Sequence, residues 1–299
     1  MKKIIGLSAA LCLLISVMAG LGAFAADTTY YNIDFDSWDI DAGITATTED
    51  PDAAFYNATG YEWTFEEITG SSKVSTVEWT DKGKVLKLEG SKRSEATSAT
   101  VSDSALRIVV PYASNNDTAD NSYSAATYDN DRLVAEYEVY IESSETDPVD
   151  TVENAAQFYY TVFGEYGYNE IAHVKKTTTV KPYSREFTTI EENADGSVKK
   201  ESSAQYAMHD DGMALNTWYR LKWVIDAQSG VAYNNGTKEY PTLVKTATLY
   251  TTNLSTGETV TKTTHIPTAR WAGETLLLGG ANRTTNAMQG VYYVDNFKL

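Results

Sequence analysis

The feature that most constrains the fold of this chain is a two-residue alternation of apolar and polar side chains. In segment 133–142 the apolar positions are Leu133, Ala135, Tyr137, Val139 and Ile141. The positions between them include Glu136, Glu138, Tyr140 and Glu142. Such alternation is typical of antiparallel strands with one buried face. No window of a dozen residues combines apolar positions at helical spacing with capping residues, so the sequence predicts no helix.

The same alternation recurs along the chain, interrupted by turn residues. Residues 219–226 repeat it, and Thr, Tyr and Val are plentiful, as strands prefer. Further predicted strands are 30–36, 62–68, 73–79, 84–89, 105–110, 156–163, 198–207, 243–252, 258–266 and 275–279. Clusters such as Asp81-Lys82-Gly83 and Ser255-Thr256-Gly257 mark turns between them. The pattern predicts an all-β antiparallel β-sandwich or jelly roll, in one domain spanning residues 27–299.

The N-terminal segment, residues 1–25, has the features of a secretory signal peptide. Lys2 and Lys3 precede an apolar run, and Ala23-Phe24-Ala25 fits the small-residue rule for cleavage. The Ala- and Gly-rich end of this run argues against a transmembrane anchor. Cleavage would remove Cys12, the one cysteine, and leave a chain without disulfides, which is typical of a bacterial exported protein. We therefore expect a secreted or cell-surface protein of bacterial type.

The charge of the chain restricts its partners. The formal net charge is −17 at neutral pH, and loss of the two signal-peptide lysines makes it more negative. Nucleic acids and anionic membranes bind basic patches, so we expect neither as a partner and no membrane insertion after signal cleavage. The acidic surplus is compatible with divalent cations.

The two ends of the mature chain are predicted to pair as neighbouring strands. Strict alternation in the last segment, 291–299, places Asp295 on the same face as Phe297 and Leu299. Burying a free carboxylate is costly. Asp295 is therefore expected at a bulge, at the rim of a sheet or on a metal ion.

Four stretches together resemble a known group of proteins. They are "IDFDSW" near the start, "GKVLKLEGSKRS", "ALNTWYRLKWVIDAQSG" and the closing "YYVDNFKL". In this order they are similar to bacterial jelly rolls of the concanavalin A-like lectin/glucanase superfamily and to carbohydrate-binding modules of the same shape. The resemblance implies two stacked antiparallel sheets of lectin-like type, export and glycan binding. It also implies a structural calcium ion near the terminal strands, which on this chain would engage Asp34 or Asp36 together with Asp295.

The sequence lacks the catalytic motifs of this superfamily. Its glucanases carry Glu-x-Asp-x-Glu along one strand, so that alternate carboxylates flank the scissile bond. The nearest imitation here is Glu136, Glu138 and Glu142, which we expect on a solvated sheet face. The Gln-x-His and Tyr-x-Lys steps of alginate-lyase type are missing as well.

Loop aromatics are the best sequence candidates for a binding site, because sugars stack on rings and their hydroxyls bind polar side chains. Two long loops, 111–132 and 164–173, separate predicted strands. The second contains Tyr166, Tyr168, Asn169 and Glu170, and another loop contains Arg270 and Trp271. Trp223 shares its face with Leu221 and Ile225 and is expected in the core. Trp218 faces the polar side, where it would cap a turn.

These observations favour a non-catalytic, exported protein that binds a polysaccharide or cell-surface glycan through ring stacking and polar clamps. Two alternatives stay open. One is a carbohydrate-active enzyme, a glycoside hydrolase or polysaccharide lyase, whose site comes from distant strands. The other is a structural or adhesive surface protein.

Overall fold

A computed structural model describes residues 31–89, 105–111, 132–142, 157–162, 171–173, 179–192, 194, 198–234, 239–267, 275–281 and 291–299. In the first half of this part the elements are β1 (Asn32–Ile33), β2 (Ile44–Thr45), α1 (Pro51–Thr59), β3 (Thr64–Ile68), β4 (Lys73–Trp79), β5 (Gly83–Glu89), β6 (Ala105–Pro111), β7 (Arg132–Ile141) and β8 (Gln157–Val162). They are followed by β9 (Ile171–His173), β10 (Thr179–Glu192), β11 (Val198–Ala207), β12 (Met213–Ala214), β13 (Trp218–Asn234), β14 (Glu239–Asn253), β15 (Thr259–Pro267), β16 (Thr275–Ala281) and β17 (Val291–Lys298). Among these residues no helix has the length and apolar character that a membrane crossing requires.

The strands form two antiparallel sheets. The larger sheet has the order β15-β14-β13-β7-β17-β5-β4-β2, with β1 paired to β17. The smaller sheet has the order β11-β10-β9-β8-β16-β6-β3, with β12 paired to β10. Side chains from both sheets belong to one hydrophobic core, which includes Leu106 and Ile108 of β6 and Tyr137 and Leu221 of the larger sheet. The predicted all-β antiparallel sandwich is thereby confirmed.

Alternation places the core as the sequence predicts. Ala135, Tyr137, Val139 and Ile141 of β7 are all buried. Trp223 is fully buried, and its Nε1 donates a hydrogen bond to the Tyr137 hydroxyl at 3.3 Å. Burial raises the pKa of Tyr137 well above its ordinary value. In the unfolded chain the Trp223 N–H would bind water, and in the fold the Tyr137 hydroxyl takes the place of that water. Burial therefore leaves the N–H with a hydrogen-bond partner.

The expectation that the chain has no helix was wrong. Helix α1 begins after Asp50, whose side chain accepts from the Ala53 amide at 3.0 Å, and it ends at Gly60 in the left-handed conformation. Pro51 at its first position suits a helix start. Only Phe55 is buried among its nine residues, so its apolar face is too narrow to give a periodic signal.

The terminal strands pair as predicted. Ile33 lies opposite Phe297, and Tyr31 and Leu299 exchange backbone hydrogen bonds at 3.2 and 3.1 Å. Strict alternation fails within β17, because its register against β7 shifts between Asp295 and Lys298. Asn296, at φ 50°, occupies this bulge. Asp295 therefore lies at a bulge, one of the three positions expected for it, and on the opposite face from Phe297.

Candidate functional site

Four aromatic rings gather on the face of the larger sheet that points away from the core. We call this the outer face, and the four rings the outer-face cluster. Its members are Trp79 of β4, Tyr140 of β7, Trp218 of β13 and Tyr293 of β17, and each is partly exposed. None of them belongs to the hydrophobic core. Trp218 is therefore part of a ring cluster and does more than cap a turn.

The rings contact one another mainly edge to face. Trp79 lies at the centre, with ring centroids 4.8 Å from Tyr140, 5.2 Å from Trp218 and 4.8 Å from Tyr293. Its plane makes angles of 61°, 83° and 64° with these rings. Tyr140 also contacts Trp218 at 5.6 Å and Tyr293 at 5.8 Å. Such pairs have the geometry that ring quadrupoles favour, so the cluster has a defined shape.

The register of the central strands brings three of the rings together. Trp218 lies opposite Tyr140, and Tyr140 lies opposite Tyr293. Residues that face each other across an antiparallel sheet have their side chains on the same side. The three rings thus form one row across β13, β7 and β17, although the sequence separates Tyr140 from Tyr293 by most of the second half of the chain.

The fourth ring, Trp79, is the last residue of β4 and directly precedes the turn to β5. Gly83 opposes Trp79 in the register and has φ +79°, a value that residues with a side chain rarely adopt. A Cβ on Gly83 would lie 2.3 Å from Asp36 Oδ1, and that oxygen accepts a hydrogen bond from the Lys84 amide at 2.8 Å. Gly83 and Asp36 therefore fix this turn, which lays Trp79 and Lys82 over the outer face.

A network of charged groups lies beside the rings. The Lys82 ammonium donates to Glu138 Oε2 and, at 2.9 Å, to Asp295 Oδ2. Arg220 donates through Nη2 and Nε to Glu138 Oε1, at 2.6 and 3.1 Å. Asn296 Nδ2 donates to both carboxylates at 3.1 Å. Lys82 Nζ also lies 4.3 Å from the centroid of the Trp218 ring. The network ties the β4–β5 turn to β7, β13 and β17.

The two carboxylates of this network titrate differently. Burial alone would raise the pKa of Glu138, but hydrogen bonds from Lys82, Arg220 and Asn296 outweigh it and lower that pKa. Burial is the main reason why the pKa of Asp295 is raised, and the Glu138 charge adds to it against the opposing effect of Lys82. Glu138 is 3% exposed, so the expectation of a solvated face for the β7 glutamates was wrong at this position.

Polar groups also line the rim of the cluster. The Tyr293 hydroxyl donates to Glu142 Oε2 at 2.9 Å, and Glu142 is exposed. Burial and this carboxylate together raise the pKa of Tyr293. Lys87 pairs with Glu89 at 2.9 Å and lies 5.9 Å from the Tyr293 ring centroid. The site therefore combines partly exposed rings with carboxylates that can accept hydrogen bonds.

The carboxylate pair does not have the geometry of a glycosidase. A glycosidase needs an open space between its two carboxylates for the scissile bond. The Lys82 ammonium contacts both Glu138 and Asp295 and fills that position. Both acids have little exposed surface, at 3% and 2%. Their arrangement is suited to holding the turn in place.

The predicted site residues fall in two groups. Tyr166, Tyr168, Asn169, Glu170, Arg270 and Trp271 lie outside the described residues. The three predicted calcium ligands belong to the described residues. Asp34 Oδ1 accepts a hydrogen bond from the Asp36 amide at 3.2 Å, and Asp295 contacts Lys82. In the described part of the chain no group of three or more His, Cys, Asp or Glu side chains could hold a metal ion. Calcium stays a prediction, and at Asp295 it would have to displace the ammonium.

The comparisons with known proteins show likeness in structure alone. No protein-family model matches the chain, and no curated protein sequence matches it either. A fungal endo-β-1,4-glucuronan lyase from Trichoderma reesei is 10% identical, with 91% of this chain and 94% of that chain covered and a TM-score of 0.43. Lectin I from Ulex europaeus, in complex with the methyl glycoside of α-L-fucose, is 12% identical, with 79% and 90% covered and a TM-score of 0.37. A seed lectin from Lotus tetragonolobus is 10% identical, with 79% and 91% covered and a TM-score of 0.35.

Proposed function

We propose that this chain is an exported, non-catalytic polysaccharide-binding protein that holds its ligand on the outer-face cluster. The observation that carries the proposal is the cluster itself: four rings, partly exposed and outside the core, in contact on the polar face of a sheet. Aromatic rings that lie outside the core, on a sheet face that also carries charged groups, suit a ligand with apolar faces and hydroxyl groups. Sugars have both.

The surroundings of the cluster support sugar binding. The exposed carboxylate of Glu142 can accept hydrogen bonds from ligand hydroxyls, as can Glu89. The neighbouring network holds Lys82 and Arg220 in fixed positions, so the rings are ordered before a ligand arrives. A site that is already ordered loses less conformational entropy on binding.

Export and a second contact region complete the proposal. The signal peptide at residues 1–25 would bring the protein to the extracellular space or the cell surface, where polysaccharides occur. On the sequence argument alone, Tyr166, Tyr168, Asn169, Glu170, Arg270 and Trp271 would supply further contacts to sugar units. Calcium would act as a structural ion if it binds.

Glycan binding by the chain without residues 1–25 tests the proposal. A glycan array is probed with and without calcium, and the best ligand is titrated by calorimetry. Replacement of Trp79 by Ala removes the central ring, and we expect roughly tenfold weaker binding. Tyr168→Ala and Trp271→Ala test the loops in the same assay.

The control for these variants is Tyr56→Ala. Tyr56 is 51% exposed and lies on α1, outside the cluster, so its loss should leave affinity unchanged. Circular dichroism of each variant confirms that the sheets persist. An array that stays blank in both conditions would contradict the proposal and favour a structural or adhesive role. Shortening of a bound polysaccharide would favour an enzyme.

A further inference from the structure

The described residues also indicate the chemical class of the ligand. We infer that the outer-face cluster selects neutral polysaccharides and disfavours chains rich in uronate or sulfate groups. The inference rests on the proposed function and deepens it. Its basis is the pairing of the charged groups around the four rings.

Among the described residues, each of the three cations that contact the rings or the neighbouring network has a carboxylate partner. Lys82 contacts Glu138 and Asp295, and Arg220 contacts Glu138 through two nitrogens. Lys87 pairs with Glu89 at 2.9 Å. A ligand carboxylate or sulfate would have to take a cation from one of these pairs. Removing Lys82 or Arg220 would leave a buried carboxylate uncompensated, which is strongly unfavourable.

In the part of the site that the structure describes, the carboxylates outnumber the cations. Three cations, Lys82, Lys87 and Arg220, stand against four carboxylates: Glu89, Glu138, Glu142 and Asp295. Glu142 is exposed and receives its contact from a neutral group, the Tyr293 hydroxyl. A neutral sugar can donate hydroxyl hydrogen bonds to it, whereas an anionic sugar meets a like charge.

Matched pairs of polysaccharides test the inference. Each pair shares one backbone in a neutral and a carboxylated form: hydroxyethyl cellulose with C6-oxidised cellulose, fully methyl-esterified pectin with polygalacturonate, and mannan with mannuronan. Affinity is measured by calorimetry at low and moderate salt. For at least one pair we expect the neutral form to bind roughly tenfold tighter, with the difference shrinking as salt screens the repulsion.

Glu142→Lys supplies the second arm of the experiment. The side chain is exposed, so the fold tolerates the change, and the site would then gain a cation without a partner. We expect the preference for the neutral form to fall about tenfold or to reverse. Glu136→Lys is the matched control, because Glu136 lies within β7, the strand that Glu142 directly follows, and pairs with the partly exposed Lys222, four positions before the ring of Tyr140. It should leave the preference unchanged.

The possible results separate the two proposals. Tighter binding of the carboxylated form, lost in Trp79→Ala, would overturn this inference and leave the proposed function standing. Binding of both forms that Trp79→Ala leaves unchanged would overturn the proposed function as well. If neither form of any pair binds, both proposals fail.

Discussion

Lys82 joins groups that lie far apart in the sequence. Its ammonium contacts Glu138 and Asp295, and it also faces the Trp218 ring. The two acid side chains are only 4% and 3% exposed. Water therefore cannot replace the lysine as their partner, and its one charge is shared between the two buried acids, of which Glu138 also binds Arg220.

Lys82→Met should destabilise the protein more than the same substitution at a more exposed lysine. We expect a loss of about 3 kcal/mol in the free energy of unfolding, because the buried Asp295 loses its counter-charge and Glu138 keeps only that of Arg220. Lys222→Met is the control, since Lys222 pairs with Glu136 at 3.7 Å, both side chains are partly exposed, and the loss should cost about 0.5 kcal/mol or less. Urea denaturation of both variants gives the comparison. Equal losses would show that the buried network has no special role in stability.

The two carboxylates should give opposite pH dependences. The pKa of Glu138 is lowered in the folded state, so its contribution is present above its ordinary value of 4.5 and is lost as pH falls through the folded pKa. The pKa of Asp295 is raised above its ordinary value of 3.8, so the folded state gains stability as pH falls through that raised pKa. Acidification therefore weakens one contribution and strengthens the other.

Unfolding by urea between about pH 3 and pH 6 tests these signs. The stability advantage of the natural protein over Glu138→Gln should shrink as pH falls. Its advantage over Asp295→Asn should grow over the same range. If the two differences change in the same direction, one of the pKa shifts has the wrong sign.

At the scale of elements, the turn between β4 and β5 determines whether the outer-face cluster forms. Trp79 ends β4 and Lys82 lies in the turn itself, beside Gly83 with its positive φ. The Asp36 side chain accepts from the Lys84 amide and fits against the bare Cα of Gly83. The segment after β1 thus holds a turn through a hydrogen bond between residues 48 positions apart in the chain.

Gly83→Ala should lower the free energy of unfolding by more than the backbone strain of an alanine at positive φ accounts for. Strain at positive φ costs about 1 kcal/mol, and the clash with Asp36 and its lost hydrogen bond should bring the total to about 2–3 kcal/mol. Gly257→Ala is the control, because Gly257 has φ +74° with nothing within 4 Å of its would-be Cβ. Thermal unfolding and glycan titration compare them. A similar cost and unchanged binding in both variants would mean that Gly83 does not position Trp79.

Most strands could be predicted from the sequence because each carries its own alternation. The predicted strands 73–79 and 198–207 have the same bounds as β4 and β11. Strand β10 was missed because Pro182 interrupts its pattern, and the structure places that proline at a register shift. Helix α1 was missed because one buried residue gives no periodicity.

The outer-face cluster could not be predicted in the same way. Its rings come from four strands, and no local pattern tells which strands lie side by side. The bulge at Asn296 also reverses the faces of the last residues, so alternation pairs Asp295 with the wrong neighbours. The one available signal was Trp218, an aromatic ring on the polar side of a clearly alternating strand.

At the scale of the molecule, the pairing of the first and last strands closes the core. Phe297 is fully buried and contacts Tyr31 and Trp63, with centroid distances of 6.1 and 5.8 Å. Trp63 in turn contacts Trp38 and Phe55. Residues near both ends of the described chain therefore share one aromatic part of the core.

Phe297→Ala should be among the most destabilising single changes in this part of the core. Loss of a fully buried ring leaves a cavity, and we expect about 4 kcal/mol in the free energy of unfolding. Tyr250→Ala is the control, because Tyr250 is 39% exposed, and its cost should stay within about 0.5 kcal/mol. Denaturant titration measures both. A loss near 1 kcal/mol for Phe297→Ala would show that the terminal strands contribute little to the fold.

The position of β17 between β5 and β7 has a consequence for biosynthesis. The ribosome makes this strand after every other strand of the larger sheet, yet the strand occupies the middle of that sheet. A nascent polypeptide therefore holds two separate halves of the sheet until residues 291–298 emerge and join them.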